Sequence, residues 1–341
     1  MPELDRHASS VWGHAAMHFA DHADVARLCG MDTSTAKPAL ADVGAPGRAS
    51  AGTGTRSGWR GVTQVLVSAA SNQTGAGLGA QAFDIVGPVG VVAVRQAVAA
   101  AVLLPVARPP LCRMTWTQWW PTLLLALVFG TMNLTLYLAI DRIGLGLAIT
   151  LEFLGPLTLT LAASRTRPDV VTAILAAAGV YVLVLPGPAD DVLGLALGLT
   201  AGVCWAAYIV LNRVVGVRLT GLQAPTLASG LCALGYLPVL VTITVAASWD
   251  ASAVTRAVAA GLLSSVVPYA VDLVTLRTVT PRQFGLLSSA QPAMAALVGL
   301  LLLSQPLAVH EWLGIAIVIA ANALAVATNA TTAPTERAAG Q

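Results

Sequence analysis

Three ionisable side chains stand inside long apolar runs: Arg95, Glu152 and Asp272. A charged side chain at the bilayer centre costs roughly 2.5–3.5 kcal/mol on insertion scales, so each such residue marks a substrate or ion pathway by default. Glu152 lies in Ile149-Thr-Leu-Glu-Phe-Leu-Gly-Pro156. Proline has no amide hydrogen, so the carbonyl four residues earlier, that of Glu152 itself, loses its helical partner. One place then offers a free carbonyl and a carboxylate, a pair suited to an ammonium group or a transported proton. The alternative is a structural carboxylate held by Arg or hydroxyl partners. Arg95 falls about eight residues into the preceding outside-to-inside run, at a depth that approaches that of Glu152 at ~1.5 Å per residue. The two either form an ion pair or clamp the two charges of a zwitterion. Asp272 is close in sequence to Arg277 and either couples transport or reaches the interface as a structural group.

Neutral polar and aromatic residues add to this set. Ser71-Asn72-Gln73-Thr74 is a polar stretch that lipid would not tolerate, so it faces a hydrated cavity or a neighbouring helix. Trp205 and Tyr208, three apart, either line the same cavity or pack. Pro156 and Pro292 are expected helix kinks. Small residues at helical spacing (Gly75, Gly79; Gly194, Gly198, Gly202) permit close helix crossing.

Composition fixes which elements can position these groups. The chain has 341 residues, 56% hydrophobic and 10% charged, with a mean hydropathy of +0.77. Soluble domains carry about 25% charged residues, so a water-soluble enzyme is excluded on surface chemistry. Continuous apolar runs rather than alternating segments favour helices over a barrel. Runs of the length that crosses a bilayer fall near 62–83, 87–107, 116–139, 143–163, 170–186, 193–211, 222–247, 254–276, 283–303 and 311–328. The first is diluted by Gln64, Ser68 and the polar stretch. The expected fold is therefore an all-α polytopic membrane protein of ten transmembrane helices.

Loop arginines support that count. With the N-terminus inside, Arg48, Arg56, Arg60, Arg108, Arg113, Arg165, Arg167, Arg213, Arg218, Arg277, Arg282 and Arg337 fall on the cytoplasmic side, and Arg142 and Arg256 outside. Both termini are then cytoplasmic. A shift of 136 residues lays Leu151-x4-Pro156-x4-Leu161 on Leu287-x4-Pro292-x4-Leu297. Five crossings separate the two, which inverts orientation and predicts a 5+5 inverted repeat. The expected domains are a largely disordered cytoplasmic extension 1–60, repeats 61–190 and 191–330, and a tail 331–341. In the extension, His14, His18 and His22 would share one helix face if a helix forms there, but no cysteine stands at metal-ligand spacing. Cys29, Cys112, Cys204 and Cys232 carry no CxxC pair. No metal, cofactor, disulfide or nucleic-acid partner is expected; the partners are a small-molecule substrate, protons and the lipid bilayer.

The stretches Gln73-Thr-Gly-Ala76, Leu151-Glu-Phe-Leu-Gly-Pro156, Gly202-Val-Cys-Trp-Ala-Ala-Tyr-Ile209, Pro268-Tyr269 with Asp272, and Phe284-Gly285 before Gln291-Pro292 resemble the drug/metabolite transporter superfamily, EamA type, and within it the threonine/homoserine exporter branch. The resemblance runs from about Trp59 to Ala327. It implies a five-plus-five inverted repeat around a central cavity and proton-driven efflux of small amino acids or related metabolites. The sequence departs from the branch at Ala80 (often Lys), Gln291 (usually Glu) and Ser304-Gln305 (commonly Gly-Glu).

The expectation is an exporter of the bacterial inner membrane, working by proton antiport and alternating access with Glu152 at the central site. A drug or nucleotide-sugar carrier is the alternative within the superfamily; the latter needs several basic residues in its cavity, and the spans supply Arg95. An intramembrane enzyme would need a motif such as HExxH or GxSxG, which the spans lack.

Overall fold

The computed structural model describes residues 54–111, 114–163, 167–183, 191–219, 222–246, 251–269, 271 and 287–329. The chain divides into a unit Met1–Ser57 and a unit Gly58–Gln341, and the helical body belongs to the second. The N-terminal histidines, Cys29, Cys112, Asp272 and the tail 331–341 lie outside the described residues.

The helices are α1 (Gly54–Ala80), α2 (Phe83–Ala107), α3 (Trp116–Ile143), α4 (Leu145–Glu152), α5 (Leu154–Ala163), α6 (Arg167–Leu183), α7 (Val192–Gly216), α8 (Gln223–Gly235), α9 (Leu237–Ala246), α10 (Ala251–Gly261), α11 (Gln291–Leu303) and α12 (Val309–Asn329), with a π-helical segment, Leu262–Val266, after α10. Among the described residues there is no strand. By length and composition α2, α3 and α7 can each cross a bilayer alone, and α8 with α9 makes one broken crossing. α1, with its polar stretch, is not among them; the other apolar helices are shorter. Val203, Val245 and Leu301 are 70%, 83% and 78% exposed, which fits helices whose outer faces meet lipid.

Two spans differ from the unbroken helices the sequence predicts. The seventh, 222–247, bends by 52° between α8 and α9. Pro238 in the first turn of α9 has no N–H to offer the carbonyl of Leu234, so the ladder fails there. The eighth widens into the π-helical segment just before Pro268, which has no N–H to offer the carbonyl of Ser264. In α2 the first turn is set off by Gly87, at φ 69° ahead of Pro88, a left-handed conformation that glycine adopts without a Cβ penalty.

α3 packs along α7, α12 along α6, α8 against α2 and α3, and α11 against α4. In lipid no hydrophobic drive separates helix from tail, so association depends on close packing at small residues. A Cβ on Gly155 would collide with the carbonyl of Gly202, and one on Gly202 would come within 3.0 Å of the Leu151 carbonyl and 3.1 Å of that of Glu152. Gly75 is pressed against Ser264, at 2.6 Å from its backbone nitrogen by the same measure. The start of α7 is capped by Asp191, whose carboxylate accepts from Gly194 N (2.8 Å) and from Arg142 (2.6 Å). These bonds, the Gly194 amide first, hold the Asp191 carboxyl below its usual range. The cap therefore stabilises the fold above the ordinary carboxylate range and is lost as pH falls through that lowered value.

Gly202→Val should destabilise the protein by about 1–3 kcal/mol or more, through overpacking of α7 on α4. Gly216→Val, where nothing lies within 4 Å of an added Cβ, should cost little, since valine is no worse a helix former than glycine. Thermal unfolding in detergent, followed by size-exclusion chromatography, separates the two; equal melting would contradict the crossing described here.

Candidate functional site

Glu152 is the last residue of α4, and the chain turns at Phe153 (φ −66°, ψ −12°) before α5 begins. Pro156 is the third residue of α5, so the break falls where the missing amide hydrogen places it. The Glu152 side chain is 6% exposed, and its carbonyl faces Gly202 of α7 across the tight crossing. Phe153 stands edge-on to Trp205, ring centroids 4.5 Å apart at 85°. The charge of Glu152 also acts on the neighbouring Cys204 thiol. α4 and α7 thus bring Glu152 and Trp205 into one neighbourhood.

Arg95, also buried, is committed elsewhere. Its Nε donates to Ser265 Oγ (3.0 Å) and its Nη2 to the Ser264 carbonyl (2.9 Å), and its guanidinium lies 5.4 Å from the centre of the Tyr137 ring. Ser71 Oγ of α1 donates to the Leu263 carbonyl (2.8 Å), and Ser264 Oγ donates to the Ala260 carbonyl. Side chains of α1 and α2 therefore satisfy carbonyls of the π-helical segment, which a regular helix would have paired internally. The direct ion pair between Arg95 and Glu152 is not formed: among the described residues the ion pair is Arg142–Asp191. The physical reason is that Arg95 reaches the unpaired Ser264 carbonyl first. Its charge still acts on the Glu152 carboxylate.

Gln73 is fully buried and donates from Nε2 to Gln291 Oε1 (3.1 Å). Its own Oε1 has no partner among the described residues. Gln291 opens α11 and Pro292 is the second residue of that helix, with the chain turning at 289–290 just before it. Asn72 is half-buried beside Gln73. Tyr208 goes a different way from Trp205: its ring sits 5.4 Å from Phe129, within a cluster containing Leu125 and Val215. Asp272 lies outside the described residues.

Several groups escaped the sequence reading. Tyr137 and Gln96 are completely buried with unpaired polar atoms. Gln305 Oε1 accepts from Leu145 N (3.1 Å), capping α4 from beyond the end of α11. Pro268, four residues after Ser264, has no amide hydrogen for the Ser264 carbonyl and was the local signal for the irregular segment; nothing in the sequence paired that carbonyl with a residue about 170 positions away.

A helical body with exposed apolar faces, and with a carboxylate, a guanidinium and amide side chains buried inside it, has the character of a multi-pass membrane protein. Residues 192–327 match the EamA-like transporter family. The threonine/homoserine exporter RhtA of Escherichia coli (strain K12) is 35% identical over 268 residues, covering 77% of this chain and 90% of the exporter. That of Salmonella typhimurium (strain LT2) is 34% identical over the same shares. The chain belongs to the EamA-type transporters, in the RhtA branch. One solved crystal structure of the same fold superposes with a TM-score of 0.53 at 18% identity, covering 81% of this chain and 98% of its own.

Arg95→Met should cost about 1–3 kcal/mol, because it leaves the Ser264 carbonyl unpaired in an apolar interior. Melting in detergent should fall accordingly, with Arg95→Lys recovering part of the loss. A methionine variant as stable as the parent would contradict the role of the guanidinium in holding the π-helical segment.

Proposed function

We propose that this chain exports small amino acids or related metabolites of the threonine/homoserine kind across the bacterial inner membrane in exchange for protons. The observation that carries this reading is the burial of the Glu152 carboxylate at the break between α4 and α5. An ionised carboxylate is expensive in a low-dielectric interior unless something neutralises it. Facing the cytoplasm, it binds the ammonium group of the substrate; facing outward, it takes a proton and releases that substrate. Both transits are then made with the carboxylate neutralised, which is how a single acid enforces exchange.

In this scheme Gln73, Asn72 and Gln291 supply neutral polar contacts, and Trp205 walls one side. Arg95 sets the field at the carboxylate from its seat on the π-helical segment. Tyr208 takes part through the packing of α7 on α3, and Asp272 remains a coupling residue on its sequence alone. Ten crossings with both termini cytoplasmic, in repeats 61–190 and 191–330, form the scaffold. Two features support the repeat. Helix ends at 152 and 288, 136 residues apart, each stand four residues before a proline. The family match to 192–327 also spans one set of five expected crossings. The solutes that the RhtA relatives are named for, threonine and homoserine, support the choice of solute.

In proteoliposomes with an imposed pH gradient, labelled threonine and homoserine should move with the parent protein. With Glu152→Gln, flux should fall to the level of protein-free vesicles while the variant still folds. Full gradient-driven flux through a folded Glu152→Gln protein would remove the carboxylate from the mechanism.

A further inference from the structure

A cleft of about 470 Å³ opens where the ends of α1, α3 and α11 meet the starts of α2 and α10. These are the ends that the loop arginines place outside. A volume of this size is within the range of small-molecule sites. Asp84, Asp141 and Arg256 line it, over a floor that includes Phe83 and Ile140.

Asp84, in the first turn of α2, complements that helix's dipole; the other two charges are not accounted for by folding. Asp141 stands in the last turn of α3, the negative end of the helix dipole, where an acid is unfavourable. Its neighbour Arg142 is engaged with Asp191 instead. Arg256 donates from Nη1 to the Gln81 carbonyl at 3.4 Å, and no described carboxylate forms an ion pair with it. Beneath the floor, Phe83 stands edge-on to Tyr137 (centroids 6.0 Å apart), and Arg95 lies over the same tyrosine ring. An aromatic pair thus separates the cleft from the buried guanidinium.

We propose that this cleft is a second, outward-facing binding site for zwitterionic α-amino acids. An α-amino acid carries an ammonium and a carboxylate on one carbon. The two aspartates suit the first, and the guanidinium fork suits the second. Two carboxylates would repel a diphosphate, so the site selects against nucleotide-linked solutes. The inference rests on the exporter reading and gives it a substrate class: the cleft receives the amino acid as it leaves Glu152, with Phe83 and Tyr137 as the partition it passes.

The test is substrate protection of S304C, at an exposed residue of the cleft rim, against a membrane-impermeant maleimide. Threonine should slow labelling, whereas threonine amide and N-acetylthreonine, each with one charge, should not. Adding Arg256→Gln or Asp141→Asn should raise the half-protecting threonine concentration about tenfold or more, the scale of one charge-assisted hydrogen bond. Labelling indifferent to threonine in an S304C protein that still transports it would overturn the cleft site alone. Equal protection by all three compounds would overturn its zwitterion specificity. A folded S304C protein and a folded parent that both fail to move threonine would overturn the exporter reading, and this inference with it.

Discussion

Pro156 has no amide hydrogen, and the arrangement around Glu152 follows from that single absence. In a bilayer an unpaired carbonyl has no water to turn to, so a helix can break only where protein covers the gap. Here the cover is Gly202, whose lack of a side chain lets α7 approach the Leu151 and Glu152 carbonyls directly. The same approach brings Trp205 against Phe153 and Cys204 within reach of the carboxylate's field. The break, the glycine and the buried acid meet at one helix crossing.

A second construction stands beside it and uses the opposite charge. The π-helical segment leaves carbonyls outside the regular ladder, and Arg95 and Ser71 bind them. An arginine spent in this way is held by neutral oxygens rather than by the carboxylate. That separation matters for exchange chemistry. A carboxylate locked to a guanidinium would have little reason to release it for an ammonium group or a proton, whereas one biased from a distance remains available to both.

How much of this was legible in the sequence depended on how local the cause was. The helical class followed from composition, and the break at Glu152 from one proline four residues on. The bend at Tyr236 has the same kind of cause, Pro238, but an apolar run gives no angle and 222–247 reads as one span. The partners of Arg95 were not legible, because Ser264 and Ser265 are about 170 residues away and depth alone made Glu152 look equally near. The departures at Gln291 and Gln305 read as losses of charge. In three dimensions each amide is used, Gln291 accepting from Gln73 and Gln305 capping α4. Trp205 and Tyr208 read as a pair, yet their packing carries them into different clusters.

In the proposed exchange, substrate and proton compete for one carboxylate. The most direct measurement is proton release from purified protein in weakly buffered detergent solution when threonine is added, followed with a pH-sensitive dye. Release from the parent protein and none from Glu152→Gln is the predicted result. Equal release from both would place the proton on another group and contradict the account.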